Sequence, residues 1–186
     1  MARMNPEPFS PYRNLIISGY DGTSRYALIR RIAAQVNAPA LDLEMEIQLR
    51  EKLSLEALRQ TYGEAHTRTL LKALCAEFAL QRGAVIAMPA APLLDEDIRA
   101  RLLEHSWLLV LNCQLNEMLR RLHAQHGARF HDPSVRRAFL HHIRQERKLH
   151  ALGNLDVLDT TDLTPEQTAN YALTFWRHHE LARLKL

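Results

Sequence analysis

The sequence predicts a three-layer α/β fold in which a five-stranded parallel sheet is flanked by helices. Short apolar runs of strand length alternate along the chain with longer segments of helical periodicity. Strands that are continuously apolar and separated by helices are typical of a parallel sheet covered on both faces. In addition, the first apolar run leads into a glycine-containing loop and then a helical segment. Because ligands bind such sheets outside the carboxyl ends of the strands, we expect the functional site at that edge.

The predicted elements follow from these alternating patterns. The predicted strands are the apolar runs at 15–18, 40–43, 84–88, 107–112 and 155–159. The predicted helices are the longer segments at 26–36, 44–52, 54–81, 95–104, 115–125, 133–149 and 164–186. Two helices carry clear start signals, since Asp132 and Thr164 are suitable caps and each precedes a proline, which is favoured at the first helical position.

The composition favours one cytoplasmic domain. With 186 residues, of which 47% are hydrophobic, the chain can bury one sizeable core, and we expect a single α/β domain over 14–186. Residues 1–13 contain prolines but no apolar stretch of a signal peptide, so we expect a flexible lead-in there. No apolar run approaches the roughly eighteen residues of a membrane span, which argues against membrane association. Cys75 and Cys113 form no C-x-x-C pair and are expected to be reduced.

The charged residues favour neither a nucleic-acid partner nor a zinc site. The net charge is only +3, and the arginines of the C-terminal half lack the interleaved stacking aromatics of nucleic-acid binding modules. Such a spread either meets phosphates or forms a solvated helical face. His123 and His126 have i, i+3 spacing but no evident third partner, whereas zinc needs three or four ligands. We therefore expect no nucleic acid and no zinc.

The loop after the first predicted strand has the position of a phosphate-binding loop but not its residues. Residues 19–26 read Gly-Tyr-Asp-Gly-Thr-Ser-Arg-Tyr. In a Walker A loop, G-x-x-x-x-G-K-[ST], the second glycine lets backbone amides wrap the phosphates, the lysine neutralises them and the hydroxyl binds Mg²⁺. Ser24, Arg25 and Tyr26 occupy those three positions. The context therefore predicts a P-loop fold, and the substitutions predict a degenerate Walker A motif.

The same loop still offers a candidate site for an anion. Its backbone amides and the amino end of the following helix survive the substitutions, so we expect sulfate or phosphate to bind there. ATP with Mg²⁺ is expected to bind weakly or not at all, because the Tyr26 side chain cannot ligate the metal as a small hydroxyl does. The candidate contacts are Gly19, Gly22, Thr23, Ser24, Arg25 and Tyr26.

Two acidic residues and one arginine mark a second candidate region. Asp42 and Glu44 follow the second predicted strand, where they either hold Mg²⁺ through water or accept hydrogen bonds from a hydroxylated substrate. Alternatively, Asp42 caps the next helix and Glu44 lies in its first turn, where negative charge suits the helix dipole. Further along, Gly63 interrupts a helical stretch before Arg68, whose guanidinium could clamp a substrate carboxylate with two hydrogen bonds.

With these segments in place, the chain resembles the shikimate kinase family from about residue 14 to residue 171. In that family a D-x-D segment follows the second strand and a G-E-x-x-F-R segment follows a helix; here the matching stretches begin at Asp42 and at Gly63. The resemblance implies a P-loop kinase fold, ATP and Mg²⁺ as cofactors, and shikimate as the small-molecule substrate. It places Asp42 at the magnesium-associated position, Glu44 at a substrate-binding position and Arg68 at the arginine for the substrate carboxylate.

Other family motifs are altered where they carry chemistry. Pro89-Ala90-Ala91 stands in place of three glycines, and a proline removes a backbone donor there. Only one arginine remains at the lid, and a later arginine is either replaced by Glu146 or displaced by one residue to Arg147. The resemblance thus implies that the catalytic candidates are Arg25, Asp42 and Arg129. It implies that the substrate-binding candidates are Glu44, Arg68 and Arg147.

These losses shape the functional expectation. Phosphoryl transfer depends almost wholly on positioning and on neutralising charge, with Mg²⁺ bridging the phosphates. We therefore expect a pseudokinase that acts as a binding, regulatory or assembly protein on a small-molecule or anionic ligand. The alternative is a divergent ATP-dependent small-molecule kinase in which Arg25 or a lid arginine replaces the missing lysine. A protein partner could use the amphipathic C-terminal helix, which extends past the family's usual end.

Overall fold

The five predicted strands form one parallel sheet. The computed structural model describes residues 9–20, 22–127 and 132–183. In the described residues the strands are β1 Asn14–Gly19, β2 Ala40–Asp42, β3 Val85–Ala87, β4 Ser106–Asn112 and β5 Asp156–Asp159. Their order across the sheet is β2-β3-β1-β4-β5, and every neighbouring pair is parallel. The predicted fold class is therefore confirmed.

Helices connect the strands and cover both faces of the sheet. In the described residues they are α1 Arg25–Val36, α2 Leu43–Glu51, α3 Leu55–Ala79, α4 Ala90–Leu93, α5 Glu96–Leu103, α6 Leu115–His126, α7 Pro133–His150 and α8 Pro165–Arg183. The four-residue α4 was not predicted. Strand β2 ends one residue earlier than predicted, because the Asp42 carboxylate accepts a hydrogen bond from the Met45 amide at 3.0 Å and so starts α2 at Leu43.

The two sheet faces carry separate cores. Leu15 and Ile17 of β1 are fully buried on one face, together with Trp176 of α8. Ile16 lies between them in sequence but is buried on the other face, with Leu74 of α3. This alternation follows from the pleat, in which successive side chains point to opposite faces. Each of these side chains contributes roughly 1.5–3 kcal/mol of hydrophobic free energy, so both helical layers are held firmly to the sheet.

The carboxylate of Glu180 in α8 fastens the segment that precedes β1. Its side chain accepts hydrogen bonds from the backbone amide of Tyr12 at 2.8 Å and from the Trp107 indole at 3.0 Å. The Trp176 indole in turn donates to the Arg13 carbonyl oxygen at 3.0 Å. These contacts fix where β1 begins, and therefore where the loop at its carboxyl end lies.

Two glycines set the path of the β1–α1 loop. Gly19 has φ +89°, and a Cβ there would overlap the backbone of Leu111 in β4. Gly22 has φ +81°, and its Cβ would lie 2.8 Å from the Met118 carbonyl oxygen of α6. Both positions therefore need glycine for conformation and for close packing. Among the helices of the described residues, none is both long and apolar enough to cross a lipid bilayer.

Candidate functional site

The guanidinium of Arg25, at the Walker A lysine position, is engaged by groups of the protein itself. Its Nη1 donates to the Gly19 carbonyl oxygen at 3.0 Å, and its Nη2 lies 2.9 Å from Oε2 of Glu44. Nη1 also lies 3.4 Å from Oε1 of Glu146. We refer to Arg25, Glu44 and Glu146 as the Arg25 triad. Because only 12% of the Arg25 side chain is exposed, its positive charge is neutralised mainly by these carboxylates.

The topology explains why residues far apart in sequence meet here. Arg25 begins α1 directly after β1, and Glu44 lies in the first turn of α2 directly after β2. Both helices start at the carboxyl edge of the parallel sheet, as the sequence analysis predicted. Glu146 comes from the last turns of α7, and its Oε1 also lies 3.4 Å from the Ala90 amide of α4. The triad thus joins α1, α2 and α7 above the sheet edge.

Glu146 is the buried acid of the Arg25 triad. Only 8% of its side chain is exposed, and its Oε2 has no hydrogen-bond partner in the described part of the chain. Burial raises the pKa of Glu146 to about 7 from the usual 4.5, and the neighbouring Glu44 raises it further, although Arg25 and the Ala90 amide oppose the change. Since a buried carboxylate loses the hydration of its charge, both protonation states are populated near neutral pH.

Ser24 and Tyr26 hold structural positions in and after the loop. Ser24 has φ −80° and ψ 109°, and its hydroxyl accepts a hydrogen bond from the Ala27 amide at 3.3 Å, so it caps α1. The substitution of glycine by serine therefore causes no backbone strain at this position. Tyr26 packs against the apolar cluster on the α1 and α8 face of the sheet, and the Arg30 guanidinium lies 5.7 Å from its ring centre.

These residues do not fit ATP and Mg²⁺ in the way a Walker A loop does. Tyr26 stands where a Walker A loop has its hydroxyl residue, and its ring packs against the core. Arg25 stands where the loop has its lysine, and it is paired with two carboxylates. Asp42, the predicted magnesium-associated residue, uses Oδ1 to cap α2, and burial raises its pKa. Across the described ranges 9–20, 22–127 and 132–183, no group of His, Cys, Asp or Glu side chains is arranged to hold a metal ion.

Of the predicted substrate arginines, Arg68 is paired with an acid outside the Arg25 triad, and Arg147 lines a cavity together with Glu146 of the triad. Arg68 follows the break at Gly63, where φ is 83° and ψ is 171°, and forms a 2.7 Å ion pair with Asp95. Its side chain is 59% exposed. Arg147 is exposed and lines a cavity of about 160 Å³ between the end of β4 and helices α6 and α7. Arg129 lies outside the described residues. The α7 residue that meets Arg25 is therefore the acid Glu146.

A second cavity adjoins the loop on its other side. It has a volume of about 210 Å³ and lies between the start of α1 and the segment that joins β5 to α8. Thr23, Ser24, Arg31 and Arg121 are among its lining residues. Arg121 donates to the Thr160 carbonyl oxygen at 2.6 Å, and so ties α6 to the end of β5. Arg121 was not among the predicted site residues. Its signal in the sequence is Glu117, an acid four residues earlier on the same helix, whose Oε1 lies 2.8 Å from Nε of Arg121.

Comparison with known proteins agrees with this architecture. The chain is 25% identical to the shikimate kinase of Zymomonas mobilis over 123 residues, which are 66% of this chain and 70% of that protein. It is 26% identical to the shikimate kinase of Stenotrophomonas maltophilia over 184 residues, which are 96% of this chain and 99% of that protein. Two further relatives are matched over only 52% and 51% of their length.

A solved structure and a family model complete the comparison. The shikimate kinase from Acinetobacter baumannii, solved in complex with shikimate, superposes with a TM-score of 0.73 at 16% identity, covering 93% of this chain and 97% of that one. The family model described as shikimate kinase matches residues 27–177. That match starts directly after Tyr26, so the altered loop lies outside it. Because the match nonetheless spans more than half of the chain, this protein belongs to the shikimate kinase family.

Proposed function

We propose that this chain is a shikimate kinase family member that does not transfer phosphate and acts by binding, as a regulatory or assembly protein in the cytoplasm. One observation carries the proposal. The only cation that the altered loop offers, Arg25, donates to Gly19 and is paired with Glu44 and Glu146. Phosphoryl transfer needs that cation to neutralise charge on the transferred group, and the triad commits it elsewhere.

Electrostatics oppose a phosphate at this position. An incoming phosphate would meet two carboxylates whose oxygens lie 2.9 Å and 3.4 Å from the guanidinium nitrogens. Two unit charges about 4 Å apart interact by about 4 kcal/mol at an effective dielectric constant of about 20, so each carboxylate, when it is ionised, largely offsets what Arg25 would offer an anion. A planar guanidinium also cannot fill the compact space of a lysine ammonium. Both effects support loss of catalysis.

The second-substrate region also departs from a kinase site. Shikimate carries a carboxylate, and a carboxylate is recognised by an unpaired guanidinium. Arg25 and Arg68 are each paired with acids, Arg68 with Asp95 at 2.7 Å. Glu146 adds negative charge in a segment where the family resemblance implies an arginine, which is either replaced by Glu146 or displaced to Arg147. The protein's ligand is therefore expected to differ from shikimate in charge.

A family member that does not catalyse phosphate transfer would act by binding a protein partner, and the outer surface of α8 is the candidate contact. Helix α8 buries one face on the sheet and leaves Tyr171 and Leu181 on its outer surface, 56% and 57% exposed. Aromatic and apolar side chains are common anchors in protein interfaces. We assign the assembly role to this helix as part of the proposal.

The second candidate is a divergent ATP-dependent small-molecule kinase. The cavity of about 210 Å³ beside the loop favours it, because Thr23, Ser24, Arg31 and Arg121 line a space adjacent to the start of α1. Positive side chains and a helix amino end suit a phosphorylated ligand. In this case Arg25 or Arg129 would have to supply the charge that the missing lysine provides.

Titration calorimetry and a phosphotransfer assay separate the two candidates. The native chain is expected to give no magnesium-dependent heat with ATP and no turnover of shikimate above the rate without protein. The variant with Ser24→Gly, Arg25→Lys and Tyr26→Ser is expected to gain magnesium-dependent nucleotide binding but still not to phosphorylate shikimate, because Pro89 and Glu146 leave the second site misshapen. Arg50→Lys, at an exposed ion pair with Glu77, is the matched control. Shikimate phosphorylation by the native chain would refute the non-catalytic proposal and support the second candidate, a divergent ATP-dependent kinase.

A further inference from the structure

The two acids of the Arg25 triad lie in different environments. Glu44 is 40% exposed, so water solvates its charge. Glu146 is more than nine-tenths buried, and its Oε1 is held by both Arg25 and the Ala90 amide at 3.4 Å. Its Oε2 is buried and unpartnered among the described residues. An ionised carboxylate with one dry, unsatisfied oxygen is poorly stabilised, so Glu146 is the member of the triad whose charge is easiest to remove.

From this geometry, and resting on the proposed function, we propose that Glu146 is an autoinhibitory residue of the loop. Its carboxylate keeps Arg25 neutralised, and its protonation releases the guanidinium to bind a divalent tetrahedral oxyanion at the start of α1. The loop then acts as an anion sensor that protonation of Glu146 switches on, and we call this protonation step the gate. Arg25 is the first residue of α1, and its guanidinium contacts the Gly19 carbonyl oxygen at the other end of the loop.

The charged groups around Glu146 set where the gate operates. Burial raises the pKa of Glu146 to about 7, so a change from about pH 8 to about pH 6 converts it from mostly ionised to mostly protonated. Arg25 of α1 and the Ala90 amide of α4 favour the charged form, and Glu44 of α2 opposes it. Among the described side chains, Tyr20, Cys113, Arg147 and His150 line the same cavity as Glu146. Asp42 interacts electrostatically with Arg25 and Glu44.

Loss of one of the two carboxylates changes the balance of charge at Arg25. In the ionised triad two negative charges face one positive charge, so an anion is repelled. With Glu146 neutral, Glu44 alone remains, and it is partly screened by solvent. The expected gain in anion affinity is roughly tenfold or more, since the interaction of a unit charge at this distance exceeds the energy of a tenfold change.

Sulfate is the probe, because it stays divalent over the whole pH range and any change therefore reports the protein. Its affinity is measured by titration calorimetry for the native chain and for Glu146→Gln at about pH 8 and about pH 6. Histidine protonation strengthens sulfate binding in both proteins at the lower pH, so the quantity of interest is the affinity ratio between variant and native chain. We expect a ratio of roughly ten at about pH 8 and near one at about pH 6.

Two further variants make the test specific. Glu77→Gln removes an acid that is also paired with an arginine, Arg50, but is 51% exposed and forms no part of the triad, so its ratio to the native chain is expected to stay near one at both pH values. Arg25→Gln is expected to remove the part of the pH dependence that Glu146 causes and to leave the part due to histidine protonation. Equal ratios for Glu146→Gln at the two pH values, or a native sulfate affinity that does not change with pH, would overturn the gate.

The outcome also separates this inference from the proposed function. Phosphotransfer by the native chain would refute the non-catalytic proposal without deciding how Glu146 acts. An unchanged sulfate affinity in Glu146→Gln would refute the gate and leave the non-catalytic proposal standing. If Glu146→Gln does not fold, the native chain is compared with Arg25→Gln: the gate requires that sulfate affinity rise more steeply from about pH 8 to about pH 6 in the native chain, and equal pH dependences would overturn it.

Discussion

Replacing Glu146 with glutamine is expected to make the protein relatively more stable as the pH rises, although it removes an ion pair with Arg25. The pKa of Glu146 is about 7 in the folded chain and 4.5 as its ordinary value, mainly because the carboxylate is buried. Between those two values the folded state retains a proton that the unfolded state has released. The native chain therefore loses stability as the pH rises through this window, and the loss is complete above about pH 8.

The magnitude follows from the same difference. The two pKa values, 4.5 and about 7, are separated by between two and three units, and each unit corresponds to about 1.4 kcal/mol, so the full effect is about 3 kcal/mol. A glutamine does not titrate and so avoids this loss. The glutamine amide would be buried where Oε2 of Glu146 lacks a hydrogen-bond partner among the described residues. Burying it there would lower the free energy of unfolding by about 1–3 kcal/mol at every pH. The informative quantity is therefore the pH-dependent part of the difference in unfolding free energy.

Urea denaturation of both proteins from about pH 5 to about pH 8 measures that part. The free energy of unfolding of Glu146→Gln relative to the native chain should rise by about 2.5 kcal/mol across this range, since part of the full effect lies below pH 5. Glu77→Gln is the matched control: its hydrogen bonds with Arg50 lower the pKa of Glu77, so that acid stays ionised and the difference stays flat. A flat difference for Glu146→Gln as well would refute the argument that burial governs this carboxylate.

Two further changes test how the site is supported. Glu180→Ala removes the acceptor of the Trp107 indole and should lower the free energy of unfolding by about 3 kcal/mol, measured by urea denaturation; a loss below about 1 kcal/mol would contradict the role of this buried carboxylate. Gly22→Ala and Gly63→Ala both place alanine at positive φ, but only the first meets a backbone atom, Met118 O at 2.8 Å. Thermal melts should therefore show Gly22→Ala clearly less stable than Gly63→Ala, and equal melting temperatures would refute this.

The fold could be predicted because its signals are local. The strand predicted at 15–18 is observed as Asn14–Gly19, and the strand predicted at 107–112 is observed as Ser106–Asn112. The bounds differ by at most one residue because each apolar run is flanked by polar or glycine residues. The short helix Ala90–Leu93 was missed because one turn is too brief to show a helical period.

The candidate site could be predicted only in part. The sequence placed Arg25 and Glu44 at the carboxyl edge of the sheet, and the structure brings their charged groups to 2.9 Å. It could not choose between Glu146 and Arg147 as the α7 residue that faces the site, because adjacent helical residues point about 100° apart and only tertiary packing fixes the rotation. The pairing of Arg25 with Glu146 joins residues 121 positions apart, which no local pattern encodes.

The altered loop and helix α7 are best understood as one electrostatic unit. Without Glu146, Arg25 would be a guanidinium with 12% exposure and less opposite charge beside it. Without Arg25, Glu146 would be a carboxylate with 8% exposure whose remaining partner is the Ala90 amide. A buried charge without its partner costs about 3–5 kcal/mol, so each residue makes the other tolerable. The guanidinium of Arg25 contacts Gly19, Glu44 and Glu146 at the same time through two nitrogens. A lysine at position 25 would have a single ammonium nitrogen for these contacts. Of the loop residues that differ from a Walker A motif, Arg25 is therefore coupled to an acid on a distant helix, and reversing the loop alone would leave that acid without its guanidinium partner.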